Sequence, residues 1–320
     1  MSKNSYYAVA AAVCILSLCP VGVAQGVISS SKNPMQVALL HWYSANLTST
    51  FTAGLNPHDI AFDGSSIWVT NAGSNTVTKM RASDGAVLGN FAVGLIPSGI
   101  VFDGRNIWVA SVSSGNVTKL RASDGANLGT FVAGGGAAGL AFDGSNIWVA
   151  NASNATVSKL AVSNGAILGT FPVGHLAVGV AFDGANVWVT SRLDNTVTKL
   201  RATDGVNMGT FPVGSAPIYV AFDGANIWVA NDGSNNVSKL RASDGASLGT
   251  FAVGMSPTGL AFDGANIWVA NFNGNTVTKL RASSGAKLGT FAVGPGPQGV
   301  AFDGADVWVA DSSGTTLNKL

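Results

Sequence analysis

The stretch AFDGANIWVAN at Ala221 to Asn231 returns letter for letter at Ala261 to Asn271. Near-copies start at Ala61, Val101, Ala141, Ala181 and Ala301, so seven copies follow one another at a spacing of forty residues without one insertion or deletion. Such regularity requires units that superimpose in a closed or stacked array. It overrides the two domains that a 320-residue chain would otherwise suggest. A catalytic motif is required once, so seven copies are a building unit, and function is to be sought where the copies disagree.

Each unit reads as four short strands. In the copy beginning at Ser256 these are Thr258 to Phe262, Ile267 to Asn271, Thr276 to Arg281 and Leu288 to Val293. All are rich in Val, Ile, Thr, Phe or Trp and bounded by Gly, Asn, Asp or Ser. No segment of the repeat has a useful apolar helical stripe, so the mature chain is expected to be all-β. Four strands at a period of about forty residues specify a propeller blade. The last copy stops at Leu320 after its third strand, while Asn46 to Gly54 (NLTSTFTAG) aligns with the fourth-strand segment Gly85 to Gly94. The expected fold is therefore a seven-bladed β-propeller of four-stranded antiparallel blades. One N-terminal strand and three C-terminal strands share a blade and close the ring, which removes two exposed sheet edges.

Phe-Asp-Gly, Trp-Val-Ala-Asn, Thr-Val-Thr-Lys-Leu and Gly-Thr-Phe-Ala-Val-Gly at this spacing resemble the YVTN-type β-propeller repeats, a group similar in fold to streptogramin lyases. The resemblance covers about Leu47 to Leu320. It implies the propeller fold, while such repeats occur in binding proteins, surface proteins and a few enzymes. The streptogramin-lyase likeness would imply a lyase or hydrolase with a His general base, a Glu and a bound divalent ion. This chain has sixteen Asp and no Glu. An enzyme using His58 or His175 with Asp59 or Asp194 is the alternative left open by that resemblance.

The invariant letters read as scaffold. Seven tryptophans, Trp68 to Trp308 in steps of forty, are expected to pack between blades. The Asp of each Phe-Asp-Gly is expected to bond nearby amides, with Gly supplying positive φ in the hairpin turn. Arg81 with Asp84, Arg121 with Asp124, Arg201 with Asp204 and Arg241 with Asp244 read as local surface pairs. Charged residues are 10% of the chain and the net charge is +1, too weak a field for nucleic acid or an anionic membrane.

At the N-terminus Lys3 precedes a mostly apolar run from Tyr6 to Cys19 and small residues at Gly22 and Ala24, the pattern of a cleavable secretory signal. Residues 1–24 are read as a signal peptide, 25–40 as a flexible lead-in and 41–320 as the propeller. The mature protein is expected to be secreted or periplasmic, in a bacterium, with no membrane association after cleavage. Both cysteines, Cys14 and Cys19, lie in the leader, which leaves no thiol for a disulfide or metal site.

Consecutive antiparallel strands send their connections to alternate faces of the ring. The first-to-second and third-to-fourth turns share a nearly uniform face. The blade-to-blade links and second-to-third links share the other, where the letters diverge, and variable loops over a fixed scaffold are where ligands bind. There Asp59 and Tyr219 replace the Gly that Gly99, Gly139, Gly179, Gly259 and Gly299 supply, a Gly read as keeping the channel open. His58, His175, Arg192, Asp194, Asp232 and Phe272 complete the candidate ligand-binding set, with no catalytic or metal-ligating residue assigned. The expected function is an exported, monomeric, non-enzymatic binding or scaffold propeller for a small polar molecule, glycan or peptide. The cofactor is unknown.

Overall fold

The computed structural model describes residues 49–320; the leader, the lead-in and residues 41–48 lie outside the described residues. Twenty-eight strands form seven four-stranded antiparallel sheets. The first strand, β1 (Ser49–Thr52), is followed by the first complete blade, β2 (Pro57–Phe62), β3 (Ser66–Asn71), β4 (Thr76–Arg81) and β5 (Val87–Ala92). The pattern repeats through the sixth blade, with innermost strands β6 (Pro97–Phe102), β10 (Ala137–Phe142), β14 (Ala177–Phe182), β18 (Pro217–Phe222) and β22 (Pro257–Phe262). The strand limits expected for the Ser256 copy agree with Pro257–Phe262, Asn266–Asn271, Thr276–Arg281 and Lys287–Ala292 to within a residue.

The seventh blade is shared between the two ends of the repeat region. Its order is β1, β28 (Thr316–Lys319), β27 (Val307–Asp311), β26 (Pro297–Phe302), with Phe51 opposite Leu317 and Thr52 opposite Thr316. Innermost strand β26 lies against both β22 and β2, so the ring is closed.

Each blade seals to the next through its tryptophan. Trp68 is fully buried and packs on Ile100, Ile107, Val109 and Leu120 of the following blade, and Trp308 packs in the same way on Ile60, Ile67, Val69 and Met80 of the first. The invariant turn is part of this device. Asp63 Oδ1 accepts from the Ser65 and Ser66 amides at 2.9 and 2.7 Å, while Oδ2 accepts from the Trp68 indole N–H at 2.8 Å. Gly64 beside it has φ +94°, the region a side chain avoids. Burial pushes the Asp63 carboxyl up, but the bonds from Trp68, Ser66 and Ser65 together outweigh it and hold the group below its usual range.

The lysine of each third strand completes the seal. Lys79 Nζ sits 5.0 Å from the Trp68 ring centroid and donates 2.7 Å to the Ala122 carbonyl of the next blade. Five more lysines make the same reach across their seams, to Val162, Ala202, Ala242, Ala282 and, from Lys319, to Ala82. Lys279 is the exception. Among the described residues its ammonium finds no such acceptor and stands 4.0 Å from Asp263 instead. Trp268 at that seam is 7% exposed where the other six are sealed. The expected Arg–Asp turn pairs all form, at 2.7 to 3.3 Å, and lie half exposed on the uniform face, where they contribute little.

Candidate functional site

Every innermost strand slips register near its start. In the first blade Pro57 faces Asn71 and Ile60 faces Val69, so His58 and Asp59 together oppose the single residue Thr70. At this β-bulge both His58 and Asp59 face the channel cavity. The same slip recurs in the other six blades, and in six of the seven blades one or both bulge positions line the channel cavity.

Glycine at the second position has a reason other than the one expected. A Cβ on Gly99 would lie 2.4 Å from the Ala138 carbonyl oxygen, and one on Gly139 would lie 2.2 Å from that of Val178. The glycines let adjacent innermost strands approach each other; they are not there to hold the channel open. Asp59 and Tyr219 therefore place side chains where most blades have no room for a methyl group.

A cavity of about 360 Å³ lies at the variable-face end of the channel. Its walls are aliphatic, from Ile60, Ile100, Leu140, Val180, Leu260 and Val300. Its polar groups are His58, Asp59, Ser98, Arg192, Tyr219 and Gln298. Of the expected residues, four line it: His58, Asp59, Tyr219 and Arg192. Asp232 opens a 3-10 turn, Asp232–Ser234, and holds the Arg192 guanidinium at 2.7 Å across the seam between the fourth and fifth blades. It thus belongs to the rim.

The remaining three lie elsewhere. His175 is 75% exposed and pairs through Nδ1 with Asp194 at 3.1 Å. Asp194 also accepts from the His175 amide at 2.7 Å, the loop tie that Ser74 and Ser114 make to Leu55 and Leu95 in other blades. A structural bond common to several blades accounts for it. Phe272 is half-buried beside Gly296 of the next link and does not reach the cavity.

Sequence reasoning missed two polar lining residues, Ser98 and, with the larger consequence, Gln298. Its Nε2 donates to His58 Nε2 at 2.7 Å, although 240 residues separate them. A signal was present: the position before the channel glycine reads His58, Ser98, Ala138, Val178, Ile218, Thr258 and Gln298, so only four of seven carry a polar group. The partnership itself exists because closure makes the seventh and first blades neighbours.

The electrostatics of the cavity follow from shielding. His58, Asp59 and Tyr219 keep partial exposure, and all three line the channel cavity. Desolvation raises Asp59 from 3.8 to about 7, against the bonds its oxygens accept from the Ile60 and Ile100 amides at 2.9 and 3.4 Å. Burial lowers His58 from 6.5 to about 4, so the imidazole is neutral at neutral pH. Among the described residues its buried Nδ1 has no partner. Burial, then the Asp59 charge, pushes the Tyr219 hydroxyl well above its ordinary value.

These two titrations act on stability in opposite directions. Between pH 3.8 and about 7 native Asp59 holds a proton that the unfolded chain releases, so its contribution falls as pH rises. Between about 4 and 6.5 the unfolded chain protonates His58 while the native chain does not, so that contribution falls as pH drops. Asp59→Asn removes the first and leaves the second. Urea unfolding at several pH values should show the variant gaining on the parent progressively from pH 4 to 7, with a constant difference above. A difference that does not change with pH would mean that Asp59 is not shielded from water.

No family model matches the sequence, and no curated protein does. The YVTN-type resemblance thus rests on the repeat motifs themselves. The fold, by contrast, has solved counterparts. It is similar to that of a streptogramin B lyase. The TM-score is 0.73 at 16% identity, over 85% of this chain and 96% of that one. Hydrazine synthase from Kuenenia stuttgartiensis is similar to the same degree, with TM-score 0.73 and 16% identity over 93% of this chain and 99% of that one. At this identity the likeness is one of fold.

The divalent ion implied by the lyase likeness does not fit these residues. Among the described residues no group of three or more His, Cys, Asp or Glu is placed to hold a metal ion. His58 and Asp59 are two donors, and His58 is already bonded to Gln298.

Proposed function

We propose that this chain is an exported, non-enzymatic binding propeller whose ligand is a small polar molecule held in the channel cavity at the variable face. The observation that carries this reading is convergence. His58, Asp59, Tyr219 and Gln298 stand at bulge positions that other blades fill mainly with glycine and small or aliphatic residues, and all four line one cavity together with Arg192. A mostly apolar cavity with a few convergent polar groups is the usual form of a small-molecule site. At about 360 Å³ it suits a small molecule, whereas a glycan or peptide would enter by one end. Export is supported by the leader-like N-terminus.

A fragment screen by thermal shift, with hits confirmed by calorimetry, tests this. Arg192→Ala with Tyr219→Gly restores residues other blades carry, so folding should survive while affinity for the hits falls by roughly tenfold or more. Asp204→Ala on the uniform face is the control and should bind like the parent. Hits that bind the double variant undiminished would put the site elsewhere and sink the reading.

A further inference from the structure

We propose that the cavity selects small organic cations, ammonium compounds with an apolar body, with the Asp59 carboxylate as counter-ion and Tyr219 as the aromatic wall. This rests on the binding reading above and narrows its ligand class.

The charge balance of the cavity is the starting point. The titratable side chains that line it are His58 and Asp59 from β2, Tyr219 from β18, and Arg192 from the link that follows the fourth blade's second strand, Asn186–Ser191. The facing strands β6 and β26 contribute Ser98, Gly99 and Gln298, none of which titrates. Arg192 is matched by Asp232 at 2.7 Å, so the rim is neutral. His58 is neutral and held by Gln298. Asp59 is left as the unmatched charge, since no described cation is within ion-pairing distance of it.

Its bonding is also incomplete. One oxygen accepts from the adjacent Ile60 amide and the other from the Ile100 amide at the long distance of 3.4 Å. A carboxylate that accepts one ordinary and one long amide bond inside aliphatic walls lacks the charged partner that buried charge requires. Burial alone drives its proton affinity up, which is the signature of that missing partner.

An ammonium ion with an apolar body supplies what is absent. The charge pairs with Asp59, the body covers Ile60, Ile100 and Leu140, and the Tyr219 ring offers a π face to the cation. An anion would meet the same carboxylate with repulsion. A neutral polyol would leave most of its hydroxyls against aliphatic wall.

The test compares molecules that differ in charge and little else: choline with 3,3-dimethylbutan-1-ol, and phenethylammonium with phenethyl alcohol. Calorimetry at pH 8 should show each cation binding about tenfold or more tightly than its neutral counterpart. Asp59→Asn should remove that preference, while Tyr219→Phe, which keeps the ring, should retain it. Choline carries no titratable proton, so its affinity should fall about tenfold from pH 8 to pH 6 as Asp59 takes up a proton, with the alcohol unaffected. If Asp59→Asn fails to fold, the isostere comparison and its pH dependence on the parent protein still decide. Neutral counterparts binding as tightly as the cations would overturn the cation assignment and leave the cavity as a small-molecule site. Absence of binding by all four probes would overturn it too, and an empty fragment screen would then take the binding reading with it.

Discussion

Deleting residues 49–54 should unfold or aggregate this protein, although it removes a single short strand of the twenty-eight. Without β1 the closing blade loses the strand paired along Ser49–Lys319, Thr50–Asn318, Phe51–Leu317 and Thr52–Thr316. Phe51 goes with it, and its ring stacks 5.2 Å from the buried Trp308 that seals the seventh blade to the first. The edge of β28 would then be open, and an unpaired edge next to an uncovered indole is a template for association between chains. Removing Gly26 to Gln36 instead should change neither solubility nor melting. The measurement is a melting curve with light scattering for both deletions. A soluble 49–54 deletion that melts with the parent would show that the ring does not depend on this strand.

The second large effect is expected at Trp228, where Trp228→Ala should cost about 3–5 kcal/mol. The side chain is fully buried, stacks 5.6 Å from Phe251 and packs on Leu260, Ile267, Val269 and Leu280 of the sixth blade. The truncation also leaves Asp223 without its 2.8 Å indole donor and Lys239 without its ring. Trp268→Ala should cost measurably less. Among the described residues its seam lacks the lysine-to-carbonyl bond, and its indole is 7% exposed. Urea unfolding of the two variants beside the parent reads both numbers. A Trp228→Ala loss under about 1 kcal/mol, below the range for a buried aromatic, would mean the indole is not core. Equal losses at both positions would mean the sixth seam is no weaker than the fifth.

The parts of this fold that could be read in the sequence are those a forty-residue period repeats. Strand limits, the Phe-Asp-Gly turn, the blade number and the sharing of one blade by two ends all follow from aligning the chain with itself. Each depends on local pattern or on counting. The lysine seal was not legible, because Lys79 meets Ala122 only when two blades lie side by side. The Asp63 bond to Trp68 escaped as well; the residues are close in sequence, but which carboxylate oxygen faces the indole is set by the turn.

In the site the division is sharper. Asp59 and Tyr219 showed as departures from glycine, and the structure puts both in the cavity, at the bulges of their innermost strands. His175, Asp194 and Phe272 departed from the repeat just as clearly and lie apart from it. Link residues on the variable face have several directions open to them, and their loop contacts choose among these. Gln298 gained its meaning from ring closure, which sets it beside His58 across 240 residues of sequence. The sequence by itself determined the blade, its copies and the manner of closing, since those are local patterns repeated. Tertiary structure alone decided which departures meet, because side chains from distant blades come within bonding distance only once the ring has closed around its axis.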